Sequence, residues 1–365
     1  MKQKNIILFM PSIEGGGVEK NLFIVANYLI KRLPNLSVIT ASKKYKIKFN
    51  KNINLIFPKS DKWDKITRRG KYLICLFLLF LEIRKKKEIV VFCFQAHLYC
   101  IILCKLFKIK ILIRSNSSPS GWSRNSIKRF IYKKVLNLAD KILVNSLEFK
   151  KQLKHQFNLK SECIYNPLNI VEIRKLSKIK INEKFFKSSS LKIINIGRFA
   201  DQKDHLTLLR AINFLKNRMA IRLILIGGGK NEKKIKEYIA LNNLTKIVKV
   251  KNFMKNPYPY IKKADLFVLT SLYEGLPNVL LESLALNKFV ISSNCPTGPS
   301  EILDNNKGGL LFKVNNHKDL ASKILFFISN KNKNKKKLIY ACARLHRFDY
   351  NKNLNKYYNL LVSIM

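Results

Sequence analysis

The chain has 365 residues, 47% hydrophobic and 11% aromatic, with 71 lysines and arginines against 22 acidic residues, a formal net charge of +49. That length exceeds what one core usually serves, so two α/β domains are expected, and the apolar content excludes an intrinsically disordered chain. Such a charge suits anionic lipid headgroups or nucleic acid, but lysine and asparagine are spread throughout, as a coding bias would leave them, and either partner needs a patch and not only a total.

Ile6 to Met10 predicts a first strand, too short before Pro11 to be a signal-peptide core. Gly15-Gly16-Gly17-Val-Glu19 predicts a loop opening a helix through about Lys31. Glycines there let a backbone approach a phosphate or an acceptor, and the helix start adds its dipole. Leu36 to Thr40 reads as a second strand. The longest apolar run, Tyr72 to Leu81, lies between Arg68, Arg69 and Lys71 on one side and Arg84 to Lys87 on the other. Spanning a bilayer takes about 20 residues, so this run is either a core helix or one lying in a membrane interface. Ile89 to Phe94, Ile109 to Arg114 and Lys141 to Asn145 continue a β-α-β pattern, which implies a parallel sheet covered by helices. There are seven cysteines and no C-x-x-C; Cys100 and Cys104 fall in an apolar run. With no histidine cluster to complete a zinc site, a reduced, cytoplasmic setting and no metal are expected.

Asn166-Pro-Leu-Asn169 and the polar stretch to Ser190 read as a linker. A second sheet is expected from Leu191 to Ile196, Arg222 to Ile226, Val248 to Val250, Leu266 to Leu269 and Phe289 to Ser292. Gly197-Arg198-Phe-Ala-Asp-Gln-Lys203 puts two cations at a strand's C-terminal end, where open α/β sheets bind ligands. Gly227-Gly228-Gly229 follows another strand. The most informative stretch runs from Ser271 through Glu274, Gly275, Pro277 and Glu282. Gly275 supplies a turn and Pro277 suits the first helical position, so the amides of Asn278, Val279 and Leu280 would form an anion site. Glu274 and Glu282, eight positions apart, offer the acceptors that sugar hydroxyls need, although two such glutamates alone would read as surface residues. Leu345 to Met365 closes the chain as an aromatic-rich helical segment.

Asp265-Leu-Phe-Val-Leu-Thr-Ser, Tyr273-Glu-Gly-Leu-Pro-Asn-Val-Leu-Leu-Glu and Pro296-Thr-Gly-Pro-Ser-Glu301-Ile-Leu closely resemble the donor-binding region of the family-four retaining glycosyltransferases. The likeness covers nearly the whole chain and is strongest from Asn195 onward. It implies an α/β chain of GT-B fold, two Rossmann-like domains with the site in the cleft between them. Residues 1–168, joined by a returning helix 345–365, would be the acceptor domain, and 169–344 the nucleotide-sugar domain. Arg198 and Lys203 match the family's Gly-Arg-x-x-x-x-Lys pattern and would hold the donor diphosphate. Glu274 would hold sugar hydroxyls and Glu282 the ribose. Gly16 and Gly17 would line the cleft, and Gly197, Gly228 and Gly275 would lie beside the donor. His97 would stand near the sugar's first carbon. Arg114-Ser-Asn116-Ser-Ser118 looks like the Glu-Arg-Asn segment of hexosamine-transferring relatives, with the glutamate absent and the arginine shifted.

No Asp-x-Asp motif occurs, so the leaving diphosphate would be neutralised by protein cations and helix ends rather than by a metal. The implied donor is a UDP-hexose or UDP-N-acetylhexosamine, with the Pro296 to Leu303 segment most like galactose or N-acetylgalactosamine transferring members. The implied acceptor is a polysaccharide or lipid-linked oligosaccharide, and the basic flanks of the Tyr72 to Leu81 run add an anionic membrane surface as a further expected partner. A nucleotide-sugar epimerase or hydrolase of the same fold is the alternative among enzymes. A basic nucleic-acid-binding protein is the alternative outside them, although no recognition motif for nucleic acid is present.

Overall fold

The computed structural model describes residues 4–116, 126–186 and 189–365. Its strands form two all-parallel sheets in two units, Met1–Pro167 with Asn351–Met365, and Leu168–Tyr350. The first sheet holds β1 (Asn5–Phe9), β2 (Leu36–Ile39), β3 (Asn54–Ile56), β4 (Ile89–Cys93), β5 (Lys110–Arg114), β6 (Lys141–Val144) and β7 (Glu162–Cys163) in the order β3-β2-β1-β4-β5-β6-β7. The second holds β8 (Leu191–Ile196), β9 (Ile221–Gly227), β10 (Val248–Asn252), β11 (Leu266–Leu269), β12 (Phe289–Ser293) and β13 (Leu310–Phe312) in the order β10-β9-β8-β11-β12-β13. Unbroken apolar strands such as Ile-Val-Val-Phe-Cys suit this arrangement, because helices cover both faces of a parallel sheet.

The apolar run Tyr72 to Leu81 lies in the helix Arg68–Lys85. Cys75, Leu79 and Ile83, four apart, bury one stripe of it against the first sheet, while Leu73 and Phe77 remain 71% and 55% exposed. The run is therefore a core helix with a second, outward apolar stripe.

The stretch read as a linker is largely structured. Ile170–Leu176 is helical, and Glu183 is buried with Lys249 and Lys251 Nζ at 3.0 and 2.8 Å, which fastens this segment to β10. Ser188 and its neighbour Lys187 lie outside the described residues. Arg344–Phe348 forms a 3-10 turn in the second unit, where the Leu168 amide donates to the Phe348 carbonyl at 2.9 Å. The helix Tyr350–Ile364 then packs Leu354, Tyr357 and Leu361 into the first unit from Asn351 on.

Candidate functional site

Each sheet reverses its strand order once, between β1 and β4 in the first and between β8 and β11 in the second. Chains leaving adjacent strands in opposite directions open a crevice there, which is where such sheets place ligands. The second crevice receives Gly197, Arg198 and Lys203 from the end of β8, and Ser271 and Glu274 from the end of β11.

The two loops are stitched together by backbone acceptors. The Leu272 amide donates to the Gln202 carbonyl, the Gln202 Nε2 to the Tyr273 carbonyl and the Thr270 Oγ1 to the Lys203 carbonyl, each at 2.8 Å. The Lys203 stem lies 3.5 Å from where a Cβ on Gly197 would stand, so the ammonium is carried across the strand end. It meets Glu274 Oε1 at 2.5 Å, and Ser271 Oγ donates to that same oxygen at 2.6 Å. No hydrogen bond among the described residues engages Glu274 Oε2. Thr297 Oγ1 donates to the Glu274 carbonyl at 2.6 Å and holds the loop from the other side. Glu274 is buried and Arg198 is exposed. A carboxylate with one oxygen occupied can accept from hydroxyls, while Lys203 and the exposed Arg198 beside it can donate to phosphate oxygens.

Pro277 precedes the helix Asn278–Ala285 rather than opening it, with ψ at 106°. The Leu280 amide donates to the Pro277 carbonyl at 3.1 Å, so one of the three amides expected to face an anion is already engaged in the first turn. Glu282 is buried one turn further on and accepts from Tyr258 OH at 3.3 Å. Gly298 has φ of +90° and no room for a side chain, since its Cβ would stand 2.6 Å from the Gly275 carbonyl oxygen. The glycine run at the end of β9 divides by role. A Cβ on Gly227 would meet the Gly197 carbonyl at 2.0 Å, whereas one on Gly228 meets nothing within 4 Å. Of these three glycines, Gly228 is the one that faces open space.

The first unit has a parallel arrangement. The loop after β1 is tied to the end of β4 by the Ser12 amide donating to Gln95 Oε1 at 2.9 Å. Gly16 makes room for Glu19, whose Oε2 would lie 2.8 Å from a Cβ there, and Gly17 begins the helix Gly17–Leu29. His97 begins the helix His97–Leu106 after Ala96, which is left-handed at φ +60°. Its Nε2 is buried without a hydrogen-bond partner, and burial lowers the imidazole to about 4, so it is neutral near pH 7.

Arg114 serves a different purpose from the one its motif suggests. It is fully buried, with Nε donating to Tyr357 OH at 2.8 Å, one terminal nitrogen to Asn166 Oδ1 at 2.6 Å and the other to Asn116. It fastens the returning C-terminal helix and presents nothing to a ligand. Ser117 and Ser118 lie outside the described residues.

Ser271, Thr297 and Gly298 fall within the motifs singled out in the sequence but carry no signal of their own. Tyr258 lies 24 residues before Glu282 and joins it only through the fold.

The sequence signature of the family described as "Glycosyl transferases group 1" matches residues 177–344. An uncharacterized glycosyltransferase of Methanocaldococcus jannaschii is 36% identical over 223 residues, 56% of this chain and 53% of that protein. The N-acetylgalactosamine-N,N'-diacetylbacillosaminyl-diphospho-undecaprenol 4-alpha-N-acetylgalactosaminyltransferase of Campylobacter jejuni is 29% identical over 234 residues, 61% of this chain and 62% of that protein. The chain thus spans little more than half the length of these relatives. Among solved structures, Anabaena HepE in complex with UDP-glucose superposes with a TM-score of 0.79 over 98% of this chain and 99% of that one, at 17% identity, which shows a shared GT-B fold. The signature takes in nearly the whole second unit, so that unit, Leu168–Tyr350, is similar throughout to the group 1 glycosyl transferases.

Proposed function

We propose that this protein is a metal-independent, anomer-retaining glycosyltransferase that moves a hexose or N-acetylhexosamine from a UDP-linked donor to a polysaccharide or lipid-linked oligosaccharide. The observation that carries this reading is the Lys203–Glu274 pair beside Arg198 at the β8/β11 reversal. Arg198 and Lys203 take the diphosphate, and their attraction grows as the bond from the sugar's first carbon to the phosphate oxygen breaks and its electron pair leaves with UDP. The acceptor hydroxyl oxygen bonds to that carbon from the face the diphosphate leaves, and its proton passes to the departing phosphate oxygen. Glu274 Oε2 accepts from a sugar hydroxyl, and Glu282 accepts from the ribose. His97 takes part as a neutral hydrogen-bonding group, because burial keeps it unprotonated at working pH. The alpha-N-acetylgalactosaminyl product named for the Campylobacter jejuni relative supports both the sugar class and retention.

The test is a panel of UDP- and GDP-sugars scored by thermal stabilisation and by product mass, with and without EDTA. UDP-N-acetylgalactosamine or UDP-galactose should stabilise the protein most, and transfer should persist in chelator. Stabilisation by no sugar nucleotide would overturn the reading, and activity lost in EDTA and restored by manganese would overturn metal independence. Turnover of the donor with no acceptor present would point to an epimerase or hydrolase instead.

A further inference from the structure

The helices Arg68–Lys85, His97–Leu106 and Ser126–Leu136 lie side by side on one face of the first sheet, since Cys75, Leu79, Cys100, Cys104 and Leu136 all enter the same core beneath it. Their opposite sides are apolar as well. Leu73 and Phe77 on the first helix, Tyr99 and Leu106 on the second, and Phe130 and Ile131 on the third are each at least half exposed. Leu76, Phe80 and Leu103 floor a groove between the first two helices that Phe77, Tyr99 and Leu106 border. A contiguous apolar surface of this kind marks an interaction site, unlike single exposed residues.

The charges around it are one-sided. The three helices carry ten lysines and arginines and a single carboxylate, Glu82, which Lys86 pairs at 2.9 Å. Lys71 and Lys105 are paired with Asp64 and Asp140. Arg68 and Arg69 stand at one end of the first helix and Arg84 and Lys85 at the other, while Lys128, Arg129, Lys133 and Lys134 are interleaved with Phe130 and Ile131. We infer that this three-helix face seats the first unit on an anionic lipid bilayer, with the apolar stripe among the acyl chains and the cations at the headgroups. A bilayer satisfies both halves of the pattern at once. Nucleic acid satisfies only the charges, because exposed leucine and isoleucine give its bases no stacking platform. No helix among the described residues is long and apolar enough to cross a membrane, so the seating is lateral. This inference is independent of the transfer reaction.

The test is co-sedimentation of the full chain with phosphatidylcholine vesicles and with phosphatidylcholine–phosphatidylglycerol vesicles, at low and high salt. The protein should bind the anionic vesicles, bind the neutral ones far more weakly and be released largely by salt. Arg129→Gln and Lys133→Gln should each weaken binding roughly fivefold. Phe77→Ser with Phe130→Ser should weaken it about tenfold or more. These side chains are exposed, so circular dichroism and melting temperature should stay at wild-type values. Failure to bind anionic vesicles, or a doubly substituted protein that binds like wild type, would overturn the inference. An oligonucleotide that binds more tightly than the vesicles and is lost in the same variants would assign the face to nucleic acid and also overturn it.

Discussion

Lys203 Nζ lies 2.5 Å from Glu274 Oε1 although 71 residues separate them, and Ser271 Oγ shares that oxygen. Cation and carboxylate therefore position each other. Removing either leaves the other poorly paired in a site where their side chains are only 16% and 9% exposed.

Lys203→Ala should lower kcat by about 10² to 10³, the cost of losing one preorganised donor to a leaving anion. It should also lower the melting temperature, because it strands a buried carboxylate. Arg198 is exposed, so Arg198→Ala should lower kcat with little change in melting temperature. Arg198→Lys should rescue only in part, since an ammonium cannot form forked bonds to phosphate oxygens. In a cycle of Lys203→Ala and Glu274→Ala, the double variant should miss additivity by about 1 to 3 kcal/mol. Additive effects would contradict the coupling.

Glu282→Ala should chiefly raise the donor KM, because ribose contacts change little as the glycosidic bond breaks. Tyr258→Phe removes one hydrogen bond to that carboxylate and should cost about 0.5 to 1.5 kcal/mol of donor binding at most. Steady-state kinetics with varied donor separates KM from kcat.

Gly227 and Gly228, at the end of β9, should respond oppositely to one added methyl group. Gly227→Ala drives a Cβ to within 2.0 Å of the Gly197 carbonyl and should prevent the second unit from folding. Gly228→Ala meets nothing within 4 Å, so its melting temperature should match wild type while donor-dependent stabilisation falls. Normal donor binding by a folded Gly228→Ala would remove that residue from the site.

His205 is 3% exposed against Phe199, and burial lowers its imidazole from 6.5 to about 4. Between those values the unfolded chain holds a proton that the folded one does not, so stability rises with pH from about 4 to 6.5 and is level above. The histidine's share is on the order of 3 kcal/mol, and His205→Phe should flatten that part of the curve of melting temperature against pH. His97 behaves in the same sense, so it should add no inflection near pH 6.5 to the transfer rate.

Glu183 gives stability the same sign of pH dependence from a different origin. Burial alone would raise its carboxyl, but hydrogen bonds from Lys251 and Lys249 outweigh that and hold it below its ordinary 4.5. The stabilisation is complete above about pH 4.5 and is lost as pH falls through the lowered value. Glu183→Gln should therefore destabilise at pH 7 by about 1 to 3 kcal/mol and lose less than wild type on acidification, as read by thermal melts.

Much of the architecture was legible because it is local. β8 and β11 have the bounds that their apolar runs predict, and the loops after them stand where strand ends place ligands. β3, β7 and β13 escaped notice because two or three residues at or near a sheet edge carry no periodic signal. The helix Arg68–Lys85 was ambiguous for another reason. Ten apolar residues in a row hide which stripe is buried, and only packing against the sheet separates Cys75 and Leu79 from Leu73 and Phe77.

By itself the sequence determined two α/β sheets, the residue types at their strand ends and the family signature of the second unit. Those follow from side-chain period and from motifs whose parts are close in the chain. The tertiary structure alone decided the partners. Sheet order sets β8 beside β11 and so brings Lys203 to Glu274, the fold carries Tyr258 to Glu282, and the returning helix brings Tyr357 to Arg114 across 243 residues. A buried charge takes the partner that strand order delivers, and strand order is a property of the whole chain that no local window contains.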